Sequence, residues 1–489
     1  MFLNFLQLLL IIEAAISSSC GAHLRNHDIP ISSPKKEDRK TEPKIHTHIF
    51  RESIPQLSSR NDILSRVRAE PVYIHEVVFV IVQRNIDLLT RVLYDLSDPI
   101  SPNYGRHWTR ERIADLTSNP EAHSAVVLYL LESGASIMSS TISGEYVTAS
   151  APVALWERIF NTKFFIFYQS HSDGRVERLV RAEKYWIPRE LDAHVESVFR
   201  TIEMPVISSG SLSILPSSTV SSSPLSKSGS ASTTVVESES EVRPKLVTKA
   251  DLSSSTESRR HPHNKMKTSA LPESVITPAK IRSYYNMSSG VKGSPGSTQA
   301  VYASVKQYMS PADLKFFLLD QGLPSQQIAA DIGNYVSNSV CLSQPNSCAE
   351  GNLDTQYIIS TSIASPTTYW YTDFSFSDWL VTVANTPSPP LVFSISYGQD
   401  ELSTSASELS AFSTQAIKLG AMGVTILVAS GDDGANSRSV RTSGTLACGY
   451  SPDYPATSPF VTAVGATSVR RTASRSISSN FIILESRSV

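Results

Sequence analysis

Histidine is missing from almost half of this 489-residue chain. All eleven histidines lie between His23 and His263, and none follows Asn264. This absence excludes a Ser-His-Asp triad built within the second half of the chain, and it excludes a His-Glu-x-x-His zinc site there. If that half is an enzyme, its general base is mainly to be sought among carboxylates and lysines.

The chain also lacks an excess of charge and a long apolar run. Its 43 basic residues balance 45 acidic ones, so no large single-sign field attracts a nucleic acid or a membrane surface. No later segment reaches the roughly 18 apolar residues that span a membrane. The apolar run over residues 6–12 predicts a signal peptide over residues 1–19 and secretion, with a lysosome or vacuole as the alternative destination. The other interpretation is an irregular N-terminus.

Cysteine is scarce, with four residues in the whole chain. Cys341 and Cys348 lie close together in CLSQPNSC and predict a small disulfide in an oxidising compartment. Cys20 and Cys448 have no evident partner, and the spacings do not match a structural zinc site. Asn286, in Asn-Met-Ser, is the one standard glycosylation acceptor.

Composition divides the rest of the chain. Strand and helix patterns over about residues 70–205 predict a compact α+β domain, which we assign with the preceding polar residues to 20–206. Residues 207–270 are rich in serine and poor in large apolar side chains, so they predict a flexible linker that cannot offset the entropy of ordering. The alternative is a serine-rich loop within one domain.

Residues 271–489 predict a second, α/β domain. LVFSIS over residues 391–396 and VTILVAS over residues 424–430 are typical of buried parallel strands. A helix predicted from Ser405 to Leu419, ending at Gly420, joins them into a right-handed βαβ unit. Because active sites of such sheets gather at the carboxyl ends of the strands, SYGQDE and SGDDGA are candidate site loops.

Three polar motifs of the second domain can carry chemistry. In AEGNLDTQY, Glu350 and Asp354 lie four residues apart, which places both on one face of a helix, and close carboxylates share protons. The alternative is a solvated acidic face. In SGDDGA, a protonated Asp432 could donate to an oxyanion, or the segment is an ordinary Asp-Gly turn. SYG, residues 396–398, is either a strand terminus or a backbone rail for an extended peptide.

Taken together, EGNLDTQY, SISYG, SGDDGA and YPATSPFVTAVGATS resemble the sedolisins, or serine-carboxyl peptidases, and most of all their tripeptidyl-peptidase branch. LSDPISPNYGRHWT is similar to a segment of the sedolisin propeptide. The resemblance implies a subtilisin-like parallel-sheet domain behind a ferredoxin-like α+β propeptide. It also implies peptide substrates, inhibition by the chain's own propeptide, and calcium in the complete family domain.

The resemblance assigns roles to the site residues. Glu350 is the general base for the nucleophilic serine, Asp354 orients Glu350, and Asp432 stabilises the oxyanion. The backbone of Ser396, Tyr397 and Gly398 lines the substrate cleft. Tripeptidyl-peptidase and endopeptidase activity both stay open.

The nucleophile is the departure from the family. The family's serine lies in a Gly-Thr-Ser segment beyond the SGD loop, and its calcium site comes later still; the sequence contains neither. Ser443-Gly444-Thr445 has the wrong order and precedes the YPATSPF segment. We therefore expect a C-terminally truncated domain that is inactive as written. The alternative is a non-catalytic binding or inhibitory protein.

Overall fold

The computed structural model describes residues 47–55, 57, 63–170, 176–204, 208–209, 276–288, 292–373, 375–432 and 452–465. The predicted signal peptide, Cys20, Ser443, Cys448 and all of the predicted linker except residues 208–209 lie outside the described residues. None of the helices within these ranges is long and apolar enough to cross a membrane.

The first domain is built from short strands and four helices. Its strands are β1 His48–Ser53, β2 Ile63–Arg68, β3 Ile74–Ile81, β4 Ser136–Ser140, β5 Tyr146–Pro152, β6 Phe164–Ser170, β7 Val176–Ala182, β8 Lys184–Pro188 and β9 Val195–Phe199. Its helices are α1 Ile86–Ser97, α2 Arg110–Thr117, α3 Pro120–Ser133 and α4 Val153–Ile159.

The central sheet of this domain is antiparallel, with strand order β4-β5-β3-β9. With α3 between β3 and β4 and α4 after β5, the chain follows the βαββαβ order of a ferredoxin-like fold, so the α+β prediction is confirmed. A second sheet, β2-β6-β7, and the pair β1-β8 extend it. Phe79, Trp156 and Phe160 lie at the centre of its core and are fully buried.

Local signals explain where the long helix of this domain begins and ends. Asn119 accepts the N–H of Ala122 at 3.2 Å, and Pro120 occupies the first helical turn, as expected for an N-terminus. Gly134 ends the helix with a φ of +93°. Helix α2 at Arg110–Thr117 is not predicted by the sequence pattern, because the segment is polar and buries only Ile113 and Thr117.

The second domain follows with a short β10 Ser208–Ser209 before it. Its helices are α5 Pro278–Tyr284, α6 Pro311–Asp320, α7 Asn338–Ser343, α8 Ala349–Thr361, α9 Phe376–Ala384 and α10 Ala406–Ala421. Its strands are β11 Gln299–Ala303, β12 Ala330–Ile332, β13 Thr367–Tyr371, β14 Val392–Ile395, β15 Tyr397–Asp400, β16 Thr425–Ala429, β17 Asp453–Tyr454 and β18 Thr462–Val464.

Six of these strands form a parallel sheet in the order β12-β13-β11-β14-β16-β18. The predicted parallel α/β domain is thus confirmed. One face packs against α9 and α10 through Trp379 and Phe412, and the opposite face of β11 and β13 packs against α6 and α8 through Leu314 and Ile359. These helices enclose the sheet centre, as parallel strands require.

One face of the sheet stays open beyond α8. Residues of β14, β16 and β18 that point away from α9 and α10 are half-buried or exposed. Leu427 is half-buried, and Val464 at the sheet edge keeps 49% of its surface exposed. No described helix covers this face. Parallel sheets ordinarily bury both faces, and among the described residues this face departs from that arrangement.

The first domain packs directly on the second. Val78, Val80 and Phe199 share one buried cluster with the helices that cover the sheet, while Leu89 and Leu96 of α1 pack against Ile417 of α10. Arg110 donates to the carbonyl oxygens of Ala384 and Thr386 at the end of α9. The interface is therefore both apolar and hydrogen-bonded.

The predicted end of α10 at Gly420 lies within one residue of the observed end. The helix continues through Ala421, and the backbone turns at Gly423, whose φ is +89°. Gly420 serves packing instead: a Cβ there would lie 2.9 Å from Cδ1 of Leu93 in the first domain. Gly420, which the sequence pattern places at a helix end, thus also permits close contact between the two domains.

Candidate active site

The carboxylate pair lies on helix α8. Glu350 is its second residue and Asp354 follows one turn later, so both side chains share a face. Glu350 is 6% exposed, and its Oε2 has no hydrogen-bond partner among the described residues. That free oxygen is where a base must meet the group from which it takes a proton.

The start of α8 is held by Gln307, a residue that lies in none of the sequence motifs. The backbone N–H of Glu350 donates to Oε1 of Gln307 at 3.2 Å, and Nε2 of Gln307 donates to the carbonyl of Asn346 at 3.2 Å. The hydroxyl of Tyr369 in turn donates to the carbonyl of Gln307 at 2.9 Å. Gln307 thus links β13, the loop before α8 and the helix end. No sequence spacing predicts hydrogen bonds between residues so far apart in the chain.

A disulfide bond also holds the N-terminal end of α8. Cys341 and Cys348 are joined by a disulfide, and Cys348 is the residue immediately before α8. The cross-link ties α7 to the start of the helix that carries Glu350. Asn286 is exposed just after α5, as glycan attachment requires, and its modification stays a prediction.

Gly351 is needed at its position in α8. A Cβ there would lie 2.4 Å from the carbonyl oxygen of Tyr308 and 2.4 Å from Oη of Tyr369. We expect Gly351→Ala to lower the free energy of unfolding by about 2 kcal/mol or more, because backbone must move. Urea unfolding measures the change. Gly296→Ala, where the nearest atom is Oγ of Ser294 at 3.9 Å, is the control; equal values for both variants would contradict the packing argument.

Ser396 lies closer to the chemistry than the sequence indicated. Its hydroxyl, just after β14, donates to Oδ1 of Asp354 at 3.0 Å. The residue was expected to contribute its backbone to a cleft, and its side chain instead holds the second carboxylate. No spacing signal indicates this contact, because Ser396 and Asp354 lie 42 residues apart.

Burial and mutual charge control the protonation of the pair. Burial is the main cause that raises the pKa of Glu350 far above its usual value, and the charges of Asp354 and Asp432 raise it further. Burial likewise raises the pKa of Asp354, while the hydrogen bond from Ser396 opposes the rise. Burial therefore favours the protonated form of each carboxyl, and the charge of Asp354 adds to this effect at Glu350.

Asp432 comes to the same region from another strand. It follows β16 at the carboxyl end of the sheet, is exposed, and its charge acts on Glu350. Gly431 before it has a φ of +84°, and a Cβ there would lie 2.1 Å from Oδ2 of Asp453. The structure therefore gathers Glu350, Asp354, Ser396 and Asp432 at this end of the sheet. Their catalytic roles stay predictions.

The SYG segment forms a short strand with two neighbours. The strand order is β10-β15-β17, and β10 pairs antiparallel with β15 so that Ser208 faces Gly398 and Ser209 faces Tyr397. The side chain of Tyr397 is 1% exposed and packs against the ring of Tyr302, so it does not line a cleft. What β15 offers an extended segment is its backbone.

An open cavity of about 310 Å³ lies beside Asp354. Its wall includes Leu353 and Tyr357 of α8, Ile281 of α5, and Ser394 on the open face of the sheet. Within the described ranges, no group of three or more His, Cys, Asp or Glu side chains could hold a metal ion.

Comparison with known proteins supports the fold and the resemblance to the sedolisins. Residues 63–204 match the family model "Pro-kumamolisin, activation domain". The chain is 28% identical over 413 residues to tripeptidyl-peptidase 1 of Pongo abelii and of Homo sapiens, covering 82% of this chain and 63% of each relative. It is 29% identical over 401 residues to tripeptidyl-peptidase 1 of Dictyostelium discoideum, covering 80% of this chain and 61% of the relative.

A domain that matches this activation domain thus packs on a parallel sheet that carries a buried carboxylate pair. The chain resembles the sedolisin family, through the activation-domain match of its first domain and through its similarity to the tripeptidyl-peptidases. It spans about 63% of the length of the tripeptidyl-peptidases it matches.

Proposed function

We propose that the complete protein is a secreted, acid-acting serine-carboxyl peptidase made as a proenzyme. The carrying observation is the buried Glu350, whose Oε2 is unpartnered among the described residues while its neighbour Asp354 is held by Ser396. Glu350 takes the proton of a serine hydroxyl while the oxygen of that serine attacks the peptide carbonyl carbon. Glu350 then returns the proton to the leaving amine, and water releases the acyl group.

The two aspartates complete this proposed mechanism. Asp354 orients Glu350 and shares its proton. Two adjacent negative charges are unfavourable in a buried site, which agrees with the raised pKa of both groups. Asp432, when protonated, donates a hydrogen bond to the oxygen that becomes negative in the tetrahedral intermediate. That requirement favours acidic pH, and it is consistent with a lysosomal or vacuolar destination as the alternative to secretion outside the cell.

The substrate of the proposed enzyme is an extended peptide. β15 already pairs with β10 of the same chain through backbone groups, which supports strand addition as the binding mode. The relatives are named tripeptidyl-peptidases, which favours release of tripeptides, with endopeptidase cleavage as the alternative. Calcium in the complete family domain stays part of the proposal, and no step above uses it.

The nucleophile is the missing part. The 489 residues contain no Gly-Thr-Ser sequence, so we propose that this chain as written is inactive. A non-catalytic role is the second candidate, and the docked propeptide supports it, because a peptidase-binding domain is present whether or not catalysis follows. Activity of a version completed with the family's serine segment distinguishes the two.

Ser396 offers a sharp test of the mechanism in that completed version. Ser396→Ala removes the hydrogen bond that lowers the pKa of Asp354, so the pKa of the carboxylate pair should rise. The limb of the kcat/KM profile that reports this pair should move to higher pH by about half a unit or more. Ser396→Thr keeps a hydroxyl and is the matched control. An unshifted profile for Ser396→Ala, with normal folding, would count against the assigned role of Asp354.

A further inference from the structure

Two consecutive residues after an inner strand of the parallel sheet have a strained backbone. Val305 and Lys306 follow β11 with φ angles of +54° and +55°, in the left-handed region that a β-branched residue such as Val305 rarely adopts. The hydroxyl of Tyr371, at the end of β13, accepts the N–H of Lys306 at 3.1 Å and holds the turn. Strain of this kind persists where the surrounding structure enforces it, often beside a functional site.

The strained turn leads directly into a segment that runs along the start of α8. The N–H of Tyr308 donates to the carbonyl of Ser347 at 2.7 Å, just before the helix. The N–H of Ser310 donates to Oδ1 of Asn352 in the first turn at 2.8 Å. Between these contacts lie the two hydrogen bonds of the Gln307 side chain described above. The turn therefore directs the chain from β11 onto the N-terminal end of α8.

Gln307 supplies a cap that α8 does not make for itself. Cys348 occupies the N-cap position, and within the part of the chain that the structure describes its side chain accepts no N–H of the helix. The first N–H groups of any helix have no partner inside that helix. That of Glu350 donates to Gln307, 43 residues earlier in the chain. The backbone of the proposed base is thus held by an acceptor outside its own helix.

The burial of Glu350 depends on this first turn. Burial is the main cause that raises the pKa of Glu350 to about 8. The titratable groups that face it from other elements are Asp432 after β16, Tyr369 of β13 and Tyr397 of β15. Asp354 faces it from α8 itself. Helix ends fray when their groups lose partners, and a frayed turn would admit water and return the pKa towards that of an exposed glutamate.

We propose that Gln307 is a positioning residue for the proposed base: held by the strained turn of Val305 and Lys306, it fixes the first turn of α8 and with it the place of the Glu350 carboxyl. The inference rests on the proposed function, in which Glu350 takes the serine proton. An amide suits the task, because its oxygen accepts the N–H of Glu350 while its nitrogen donates to the carbonyl of Asn346.

The test measures the pKa of Glu350 in the 489-residue chain by carbon NMR of isotope-labelled glutamate carboxyls, with Glu350→Gln to assign the signal. Gln307→Leu keeps the size of the side chain but removes both polar groups. We expect it to lower the pKa of Glu350 by about 1 or more, because the turn opens to water. Gln307→Glu retains an acceptor for the N–H, and its negative charge should hold the pKa at or above the parent value.

Gln326→Leu is the matched control. Gln326 is also half-buried and also joins two backbone groups: its Oε1 accepts the N–H of Ala364 at 2.7 Å, and its Nε2 donates to the carbonyl of Ser365 at 2.8 Å. These groups lie before β13, at the opposite end of that strand from the site. Its replacement should lower Tm and leave the pKa of Glu350 within about 0.3 of the parent value.

An unchanged pKa of Glu350 in Gln307→Leu, together with a lowered Tm, would assign Gln307 a role in stability alone and overturn the inference. An equal fall in Gln326→Leu would overturn it as well. Should Gln307→Leu not fold, hydrogen exchange of the parent chain decides: the N–H of Glu350 should exchange at least about 100-fold more slowly than its intrinsic rate. Exchange near the intrinsic rate would mean that Gln307 does not hold it.

Failure of the proposed function gives a different result. An ordinary pKa of Glu350 in the parent chain would contradict the proposed base itself, and the inference about Gln307 would fall with it. A raised pKa in the parent chain that survives Gln307→Leu would count against Gln307 alone and leave the base in place.

Discussion

Acid treatment of the 489-residue chain is expected to yield no hydrolysis of an unblocked tripeptide reporter or of a long peptide. Glu350 and Asp354 form a base system, but the sequence holds no Gly-Thr-Ser segment to supply the hydroxyl that they would activate. No histidine follows residue 263 to activate a different serine. Expression of this exact chain, acidification, and an assay of released amine measure the result.

The matched control for this experiment is the Glu350→Gln chain, prepared and acidified in parallel. Turnover clearly above that control would mean that a serine inside the chain acts as the nucleophile. Ser443 would then be the first residue to replace, and our interpretation of Ser443-Gly444-Thr445 as a segment without a catalytic role would have to be withdrawn.

Glu350→Gln should remove nearly all activity from a version completed with the family's serine segment. Glutamine has the shape of glutamate but cannot accept the proton, so we expect kcat to fall by about 1,000-fold or more while folding is retained. Asp432→Asn should also reduce kcat, though by less, because an amide still donates to an oxyanion. Steady-state kinetics and circular dichroism measure the two effects.

Asp320→Asn provides the control for that series. Asp320 is an exposed carboxyl at the end of α6, so its conversion to an amide should leave kcat within about twofold. Full activity of the Glu350→Gln enzyme would remove the central claim about the base. Loss of activity together with loss of the folded spectrum would instead assign Glu350 a structural role.

Local sequence patterns predicted the shared helical face of Glu350 and Asp354 and the parallel sheet, whereas the role of the pair came from the resemblance to the sedolisins. Glu350 and Asp354 share a helical face because they lie four residues apart in one helix, and the strands of β14 and β16 are short apolar runs that flank a helix. These are local patterns, which a sequence displays directly. The open sheet face, by contrast, follows from which segments cover which strands.

The contacts that hold the site could not be read in the same way. Ser396 meets Asp354 and Gln307 meets Glu350 across some 40 residues of chain. Gly351 in the first turn of α8 and Gly420 in the last turn of α10 stand where a Cβ would approach Tyr308 and Leu93 closely. Each of these choices depends on a neighbour that only the folded chain identifies.

The antiparallel pairing of β10 with β15 affects how well a free peptide can compete for β15. Because Ser208 and Ser209 are joined covalently to the propeptide and to the sheet domain, they meet β15 at an effective concentration set by the connecting chain, in the millimolar range for short flexible links and lower for longer ones. A free peptide must exceed that concentration to displace them at equal affinity. After a single cut between residue 209 and the sheet domain, Ser208 and Ser209 would be held only through the docked propeptide, so that dilution removes them once the propeptide dissociates.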